Sequence, residues 1–225
     1  MITALLLRLA VLLALAVPAA AQSIPNDPVS RTVRWPDIMA GTDIKRACAP
    51  GAPERWRFVY NAIYSEQVRS YDIADGTVET RVFDRLGIGF MTTFSLAEFI
   101  QGALSTTPIT PQELRRLIAL WEIDLPKAVR PVGHLRADRF FWTTAGCRDG
   151  RFTFAAFSHP PDGSTPFIFP LEIARFDRSG KPVNPPRPTP DVGPMTGFIP
   201  NRHNSADDNA RFLLRVTENG LQFGY

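Results

Sequence analysis

The side chains best suited to acid–base chemistry are histidines and aspartates in segments that the sequence predicts as loops. His203 and Asp207 belong to "NRHNSADDNARF", residues 201–212, which is the most polar stretch of the chain. A histidine and a carboxylate that meet in a cleft can move protons to and from a substrate. Composition alone favours a solvated connector for this stretch. The catalytic candidates are His159, His203, Asp207 and Asp208.

A metal site would need at least two of the three histidines to converge in space. The third histidine is His134, and the acids that could complete a ligand set are Asp138, Asp207 and Asp208. The chain has no H-E-x-x-H, no acidic calcium loop, no Walker loop, no Rossmann glycine pattern and no G-x-S-x-G. We therefore expect neither a bound metal nor a cofactor.

A row of aromatic residues in "RWRFVYNAIY", residues 55–64, offers a second candidate site. Its period of two predicts a strand, and large aromatic side chains usually form the core of a protein. The alternative is a ligand-binding platform, which would use the hydroxyls of Tyr60 and Tyr64. The other face of the strand would then present Arg57 and Asn61 to the ligand. The aromatic side chains of the row are Trp56, Phe58, Tyr60 and Tyr64.

Residues 1–21 have the three parts of a secretory signal peptide. Arg8 precedes the apolar run "LAVLLALAV", and the small residues at 19–21 place a cleavage site before Gln22. The apolar run is shorter than the roughly 20 residues that a membrane-spanning helix needs. We therefore expect a periplasmic or secreted protein with no membrane span after cleavage.

Two cysteines, Cys48 and Cys147, follow the predicted signal peptide. An even number of cysteines in an oxidising compartment favours a disulfide. Neither cysteine belongs to a C-x-x-C pair, which would indicate a redox or metal site. The sequence therefore predicts a structural bridge between them.

Two amphipathic helices are predicted by capping boxes, in which a Ser or Thr is followed three residues later by Glu. Ser95 and Glu98 mark the first start. Thr110, Pro111 and Glu113 mark the second, with proline at the first helical position. Capping accounts for both glutamates, so we assign them no catalytic chemistry. We expect the apolar faces of both helices to pack on one face of a sheet.

Alternating apolar residues and tight turns predict an antiparallel sheet made of hairpins. "ADGT", residues 74–77, is predicted as a tight turn, and "RDG", residues 148–150, is predicted as another. The last hairpin is expected to turn around Asn219 and Gly220. The predicted strands and hairpins are residues 55–64, 65–73, 78–83, 139–157, 171–176 and 211–225.

The order of these elements predicts a single α+β domain over residues 55–225. An extended N-terminal arm, residues 22–54, is expected to precede it. The prolines between residues 182 and 200 cannot occupy central strand positions because proline has no N–H to donate. That segment is expected to run over the surface or to hang free.

The absence of enzyme motifs favours an exported protein of the bacterial cell envelope that acts as a binding or accessory module. Two alternatives are a periplasmic hydrolase that uses the loop histidines and aspartates, and a structural envelope component. The net charge of +3 comes from arginines spread along the chain beside acids, so we expect no nucleic-acid partner. The expected partner is an envelope protein or a small ligand.

Overall fold

The structure, a computed structural model, describes residues 37–64, 66–84, 103–189 and 213–223. Six of its strands form one antiparallel sheet in the order β4-β3-β2-β1-β6-β7, and three form a second sheet in the order β5-β8-β9. The strands are β1 (Arg55–Ala62), β2 (Gln67–Ala74), β3 (Thr77–Asp84), β4 (Ala103–Pro108), β5 (His134–Arg136), β6 (Phe140–Arg148), β7 (Arg151–Ser158), β8 (Leu213–Thr217) and β9 (Gly220–Phe223). The predicted antiparallel sheet of hairpins is confirmed.

Two tight turns set the register of the large sheet. Asp75 and Gly76 have φ angles of 49° and 72°, and Asp149 and Gly150 have φ angles of 53° and 71°. Two consecutive positive φ angles are typical of a type I′ turn, whose twist matches that of the flanking strands. Asp and Gly tolerate this conformation better than other residues, so the turn residues place Ala74 opposite Thr77.

Helix α2 confirms the second of the two predicted helices. The helices are α1 (Thr42–Ala47), α2 (Pro111–Asp124) and α3 (Phe169–Ile173). At the start of α2 the Thr110 hydroxyl accepts a hydrogen bond from the Glu113 N–H at 3.2 Å, and the Glu113 carboxylate accepts one from the Thr110 N–H at 2.9 Å. The first predicted helix, with Ser95 and Glu98, lies outside the described residues.

The strand predicted at residues 171–176 is wrong, because α3 and a 3₁₀ turn (Ala174–Phe176) occupy that segment. The buried residues Phe169, Ile173 and Phe176 follow helical spacing, whereas Leu171 is 72 % exposed. The carboxylate of Asp124 accepts hydrogen bonds from the N–H groups of residues 168 and 169, at 2.6 and 3.1 Å. A side chain from the end of α2 thus satisfies the first N–H groups of α3.

Both faces of the large sheet are covered. On the first, which we call the helix face, the aromatic residues of β1, β2, β6 and β7 pack against α2 and α3. On the second, the arm face, apolar residues pack against residues 38–44 and the three-stranded sheet. The helix face includes Trp56, Phe58, Tyr60, Tyr71, Trp142 and Phe157, under Leu117, Ile118, Trp121, Phe169 and Ile173. The arm face includes Val59, Val68, Phe141 and Ala156, under Ile38, Met39, Leu135, Leu214 and Val216.

The described part of the predicted arm is helical over Thr42–Ala47 and packed, where the sequence predicted an extended segment. Gly41, with φ 63°, allows α1 to approach the sheet closely, because an added Cβ would lie 2.2 Å from the Ala145 side chain. The predicted disulfide is confirmed: Cys48, just after α1, is bonded to Cys147 at the end of β6. No helix in the described ranges combines the length and the apolar character needed to cross a membrane.

Candidate functional site

The aromatic side chains of the row on β1 are buried in the core and do not form an open platform. Trp56, Phe58 and Tyr60 are each at most 2 % exposed. The Tyr60 ring stacks on Trp142 with a centroid distance of 4.7 Å. Its hydroxyl donates a hydrogen bond to the main-chain oxygen of Asn184 at 2.8 Å. Burial raises the pKa of Tyr60, so this hydroxyl stays protonated and acts as a donor.

Tyr64 does not belong to the same row. β1 ends at Ala62, and Ile63 has a φ angle of 60°, which breaks the alternation of side chains. Tyr64 is therefore buried on the arm face, in a cluster with Val59 and Leu214. A pattern of period two cannot reveal this change of face, because it assumes that the strand continues.

Arg57 and Asn61, the two polar platform candidates, have structural contacts on the arm face. Arg57 is 1 % exposed and forms hydrogen bonds to Asp72 at 2.6 Å and to Asp43 at 2.7 and 3.0 Å. Burial opposes the charged guanidinium, but Asp72 and Asp43 outweigh it and raise the pKa of Arg57. The amide nitrogen of Asn61 donates to the main-chain oxygens of Ala137 and Arg139, at 3.1 and 2.7 Å.

His159 is the only catalytic candidate inside the described ranges, and it is 6 % exposed. Its Nδ1 lies 3.2 Å from the main-chain oxygen of Ser164, while Nε2 has no hydrogen-bond partner among the described residues. Burial lowers its pKa against the opposing effect of the Ser164 contact. No described carboxylate bonds to it. His203, Asp207 and Asp208 lie outside the described residues, so the predicted acid–base pair has no geometry here.

The other metal-ligand candidates are also separate. His134 is exposed on β5, and Asp138 forms an ion pair with Arg136 at 3.0 Å. Within the described ranges, no group of three or more histidine, cysteine, aspartate or glutamate side chains could hold a metal ion.

Two features that sequence reasoning missed are better candidates for recognition. The first is an open groove of about 660 Å³ at the end of the large sheet, which we call the turn groove. Four segments distant in sequence form it: residues 53–54 just before β1, the β2–β3 turn, the first turns of α2 with the residues before them, and the β6–β7 turn. Its apolar lining is Pro53, Ile73, Ala74, Ile109, Pro111, Leu114 and Ile118; its charged lining is Glu54, Asp75, Arg115, Arg148 and Asp149.

The second feature is a set of polar side chains buried on the otherwise aromatic helix face. Gln67 and Arg69 on β2 are 3 % and 0 % exposed, and Arg69 lies directly opposite Tyr60 in the register of β1 and β2. Both side chains bond to residues 177–184, which cross this end of the sheet. The signal in the sequence was the spacing "Q-V-R", which places Gln67 and Arg69 on one face.

Comparisons of the chain with protein-family models, curated protein sequences and solved structures find no match. The function is therefore inferred from the geometry of the described residues.

Proposed function

We propose that this chain is an exported protein of the bacterial cell envelope and acts as a binding module, with the turn groove as its ligand site. The groove carries the proposal because it joins an apolar floor to charged groups of both signs in one open concavity. The disulfide between Cys48 and Cys147 supports the exported location, because such bridges persist in oxidising compartments.

The lining indicates the class of ligand. Ile73, Ile109 and Ile118 are buried and belong to the core of the helix face, so the floor of the groove is fixed before a ligand arrives. Arg115 and Arg148 can bind a carboxylate, and Asp75 and Asp149 can bind an amine. A short peptide with an apolar side chain and both terminal charges has this chemistry.

The alternative of a periplasmic hydrolase receives less support from the geometry. Its described candidate, His159, is sealed under aromatic rings, with ring-centroid distances of 5.1 Å to Phe167 and 6.2 Å to Tyr60. A general base must reach the proton that it abstracts. The lining of the turn groove has no histidine or cysteine, and its one hydroxyl group, that of Thr110, is engaged by Glu113 in the helix cap, with an oxygen–oxygen distance of 2.7 Å. This chemistry favours binding over nucleophilic catalysis.

The test is a calorimetric and NMR titration of the full mature chain with a library of short peptides. Arg115→Gln should weaken the binding of any hit by about tenfold, because one charge-assisted hydrogen bond to the ligand is lost. Arg116→Gln is the matched control, since Arg116 lies on the same helix and points to Glu172, 3.3 Å away.

A second pair of variants probes the apolar floor. Leu114→Asn should also weaken binding, whereas Leu171→Asn, at a position 72 % exposed on α3, should not. Melting temperatures of the four variants establish that each is folded. Hits whose affinity is the same in all four variants, or a library without hits, would show that the turn groove is not the ligand site.

A further inference from the structure

Residues 181–189, "KPVNPPRPT", cross the helix face as an extended segment without helix or strand, and we call them the strap. The sheet bonds mainly to the main chain of the strap. Arg69 donates to the oxygen of Lys181 at 2.7 Å and also to the oxygen of Pro182. Tyr60 donates to the oxygen of Asn184 at 2.8 Å.

Gln67 contacts the strap on both sides of Val183. Its amide nitrogen donates to the oxygen of Pro182 at 3.0 Å, and its amide oxygen accepts from the N–H of Asn184 at 3.1 Å. Paired bonds of this kind recognise an extended main chain irrespective of its side chains. With the strap in place, the three recognising side chains, Tyr60, Gln67 and Arg69, are at most 3 % exposed. Contacts outside the strap also orient two of them, because the Tyr60 ring stacks on Trp142 and the Arg69 guanidinium bonds to Gln67 and Asp177.

One side chain of the strap, that of Arg187, is recognised by an ion pair and by an aromatic ring. Arg187 bonds to both carboxylate oxygens of Glu66, at 2.6 and 2.8 Å, and its guanidinium lies 5.3 Å from the centre of the Phe140 ring. The surface therefore recognises two features: an extended main chain, and an arginine three residues after the position of Asn184.

The strap contributes little apolar burial of its own. Val183 is 45 % exposed, and Pro182, Pro185 and Pro188 are exposed as well. No covalent bond holds the strap, since the disulfide joins Cys48 to Cys147 on the arm face. Hydrogen bonds exchanged with water are individually weak, so another segment with the same pattern can compete for this surface.

We propose that the surface formed by Tyr60, Glu66, Gln67, Arg69 and Phe140 is a docking site for an extended, proline-rich segment of a partner protein. The strap occupies this site in cis and competes with the partner. A proline-rich segment suits the site because it is already extended when free and loses little entropy on docking. The partner segment needs an arginine three residues after the residue that bonds to Tyr60.

The probe is a fluorescein-labelled peptide of the strap itself, GKPVNPPRPT, residues 180–189, measured by fluorescence polarisation with the full mature chain. The cis strap acts at an effective concentration of roughly millimolar, so the wild-type chain should bind the peptide weakly. The double variant Asn184→Pro/Arg187→Glu removes one strap N–H and repels Glu66. It should bind the wild-type peptide about tenfold more tightly.

Exchanging the charges of the Arg187–Glu66 pair tests whether this ion pair makes the binding specific. A peptide in which the arginine is replaced by glutamate should lose binding to the double variant and regain it in Asn184→Pro/Glu66→Arg, where the strap's own Arg187 is repelled by the new arginine and the peptide glutamate is attracted. Equal binding of both peptides, or no gain in the double variant while its melting curve shows a folded chain, would overturn the proposal. A concentration-dependent dimer of the wild-type chain would identify the occupant as the strap of a second copy and would also overturn it. Peptide binding that is unchanged by Arg115→Gln separates this site from the turn groove.

Discussion

Each face of the large sheet buries one arginine, and the two arginines bind different kinds of group. On the arm face, Arg57 bonds to the carboxylates of Asp43 and Asp72. On the helix face, Arg69 bonds to Asp177 and to two main-chain oxygens of the strap. The first arginine joins two partly buried carboxylates whose only other cation among the described residues is Arg55, at 3.5 and 3.7 Å. The second bonds mainly to main-chain carbonyl groups, and water can donate hydrogen bonds to these groups if the strap leaves.

The covalent bond reinforces this difference. The disulfide fixes the chain just after α1 to the end of β6, so the arm is tied to the sheet by a bridge as well as by the Arg57 ion pairs. The strap has only noncovalent contacts. We infer that the arm face serves stability and that the strap on the helix face can exchange.

Removal of the disulfide should have the largest effect on stability. Cys48 and Cys147 are 99 residues apart, and closing a loop of that length contributes about 4 kcal/mol or slightly more in the chain-entropy model. Cys48→Ala/Cys147→Ala should therefore lower the free energy of unfolding by about 4 kcal/mol, measured in urea. A reducing agent should destabilise the wild type and leave the variant unchanged. A loss below about 1 kcal/mol would show that α1 is held by noncovalent contacts alone.

Arg57→Met should have the second largest effect. It removes the nearest cation from Asp43 and Asp72, whose side chains are 15 % and 12 % exposed, and leaves them only the longer ion pairs with Arg55, at 3.5 and 3.7 Å. Breaking a buried pair from one side costs about 3 kcal/mol or more, and the remaining contacts with Arg55 should limit the loss here to about 2–3 kcal/mol. Adding Asp72→Asn should recover part of the loss, because an uncharged amide is less costly to bury unpaired. If Arg57→Met is as stable as the wild type, the arm face does not depend on this ion pair.

Arg69→Met should cost less, about 1–2 kcal/mol, because the strap carbonyls can turn to water. The Asp177 carboxylate, which loses its cation, still accepts hydrogen bonds from the Tyr71 hydroxyl and from the N–H and hydroxyl of Ser179. Its effect should also be local. Hydrogen exchange at the N–H of Asn184, which bonds to Gln67, should accelerate in this variant, while exchange in β1 and β6 should stay close to that of the wild type. Arg57→Met is the comparison variant. Faster exchange throughout the sheet in Arg69→Met would mean that the stability of the sheet depends on the strap as much as on the arm.

Local signals in the sequence predicted the elements whose stabilising contacts are local. The pair Asp75–Gly76 predicts its own turn, because the required φ angles depend on those two residues. Thr110 and Glu113 likewise predict the start of α2 because they cap it themselves. Neither signal needs knowledge of the rest of the chain.

Contacts between distant residues explain what the sequence could not show. α3 begins where Asp124, 44 positions away, accepts its first hydrogen bond, so "LEIARF" alone reads as a strand. The turn groove needs four separated segments to meet. Gln67 and Arg69 look like solvent-facing residues of a strand until the strap, more than 110 positions later, covers them.

The smallest effect we predict is a dependence of the helix face on mildly acidic pH. His159 packs beside Tyr60, and the raised pKa of Tyr60 keeps the tyrosine neutral. The loop after His159 contacts the strap, because the Thr189 N–H donates a hydrogen bond to the Pro161 oxygen at 3.2 Å. Burial lowers the pKa of His159 below its ordinary value of 6.5. The unfolded chain therefore binds more protons than the folded chain as the pH falls below about 6.5, and stability declines with falling pH in that window.

The arm face should respond only at lower pH. Burial tends to raise the pKa of Asp43, but hydrogen bonding and charge from Arg57 outweigh it and lower that pKa below 3.8. A lowered carboxyl pKa contributes stability that is present above the unfolded value and is lost as the pH falls through the folded value. Urea unfolding at pH 7.5, 6.5, 5.0 and 3.5 separates the two responses. His159→Phe should abolish the decline between pH 6.5 and 5.0, and His134→Gln, at an exposed position, should preserve it. An undiminished decline in His159→Phe would place the titrating group elsewhere and would remove pH as a distinction between the two faces.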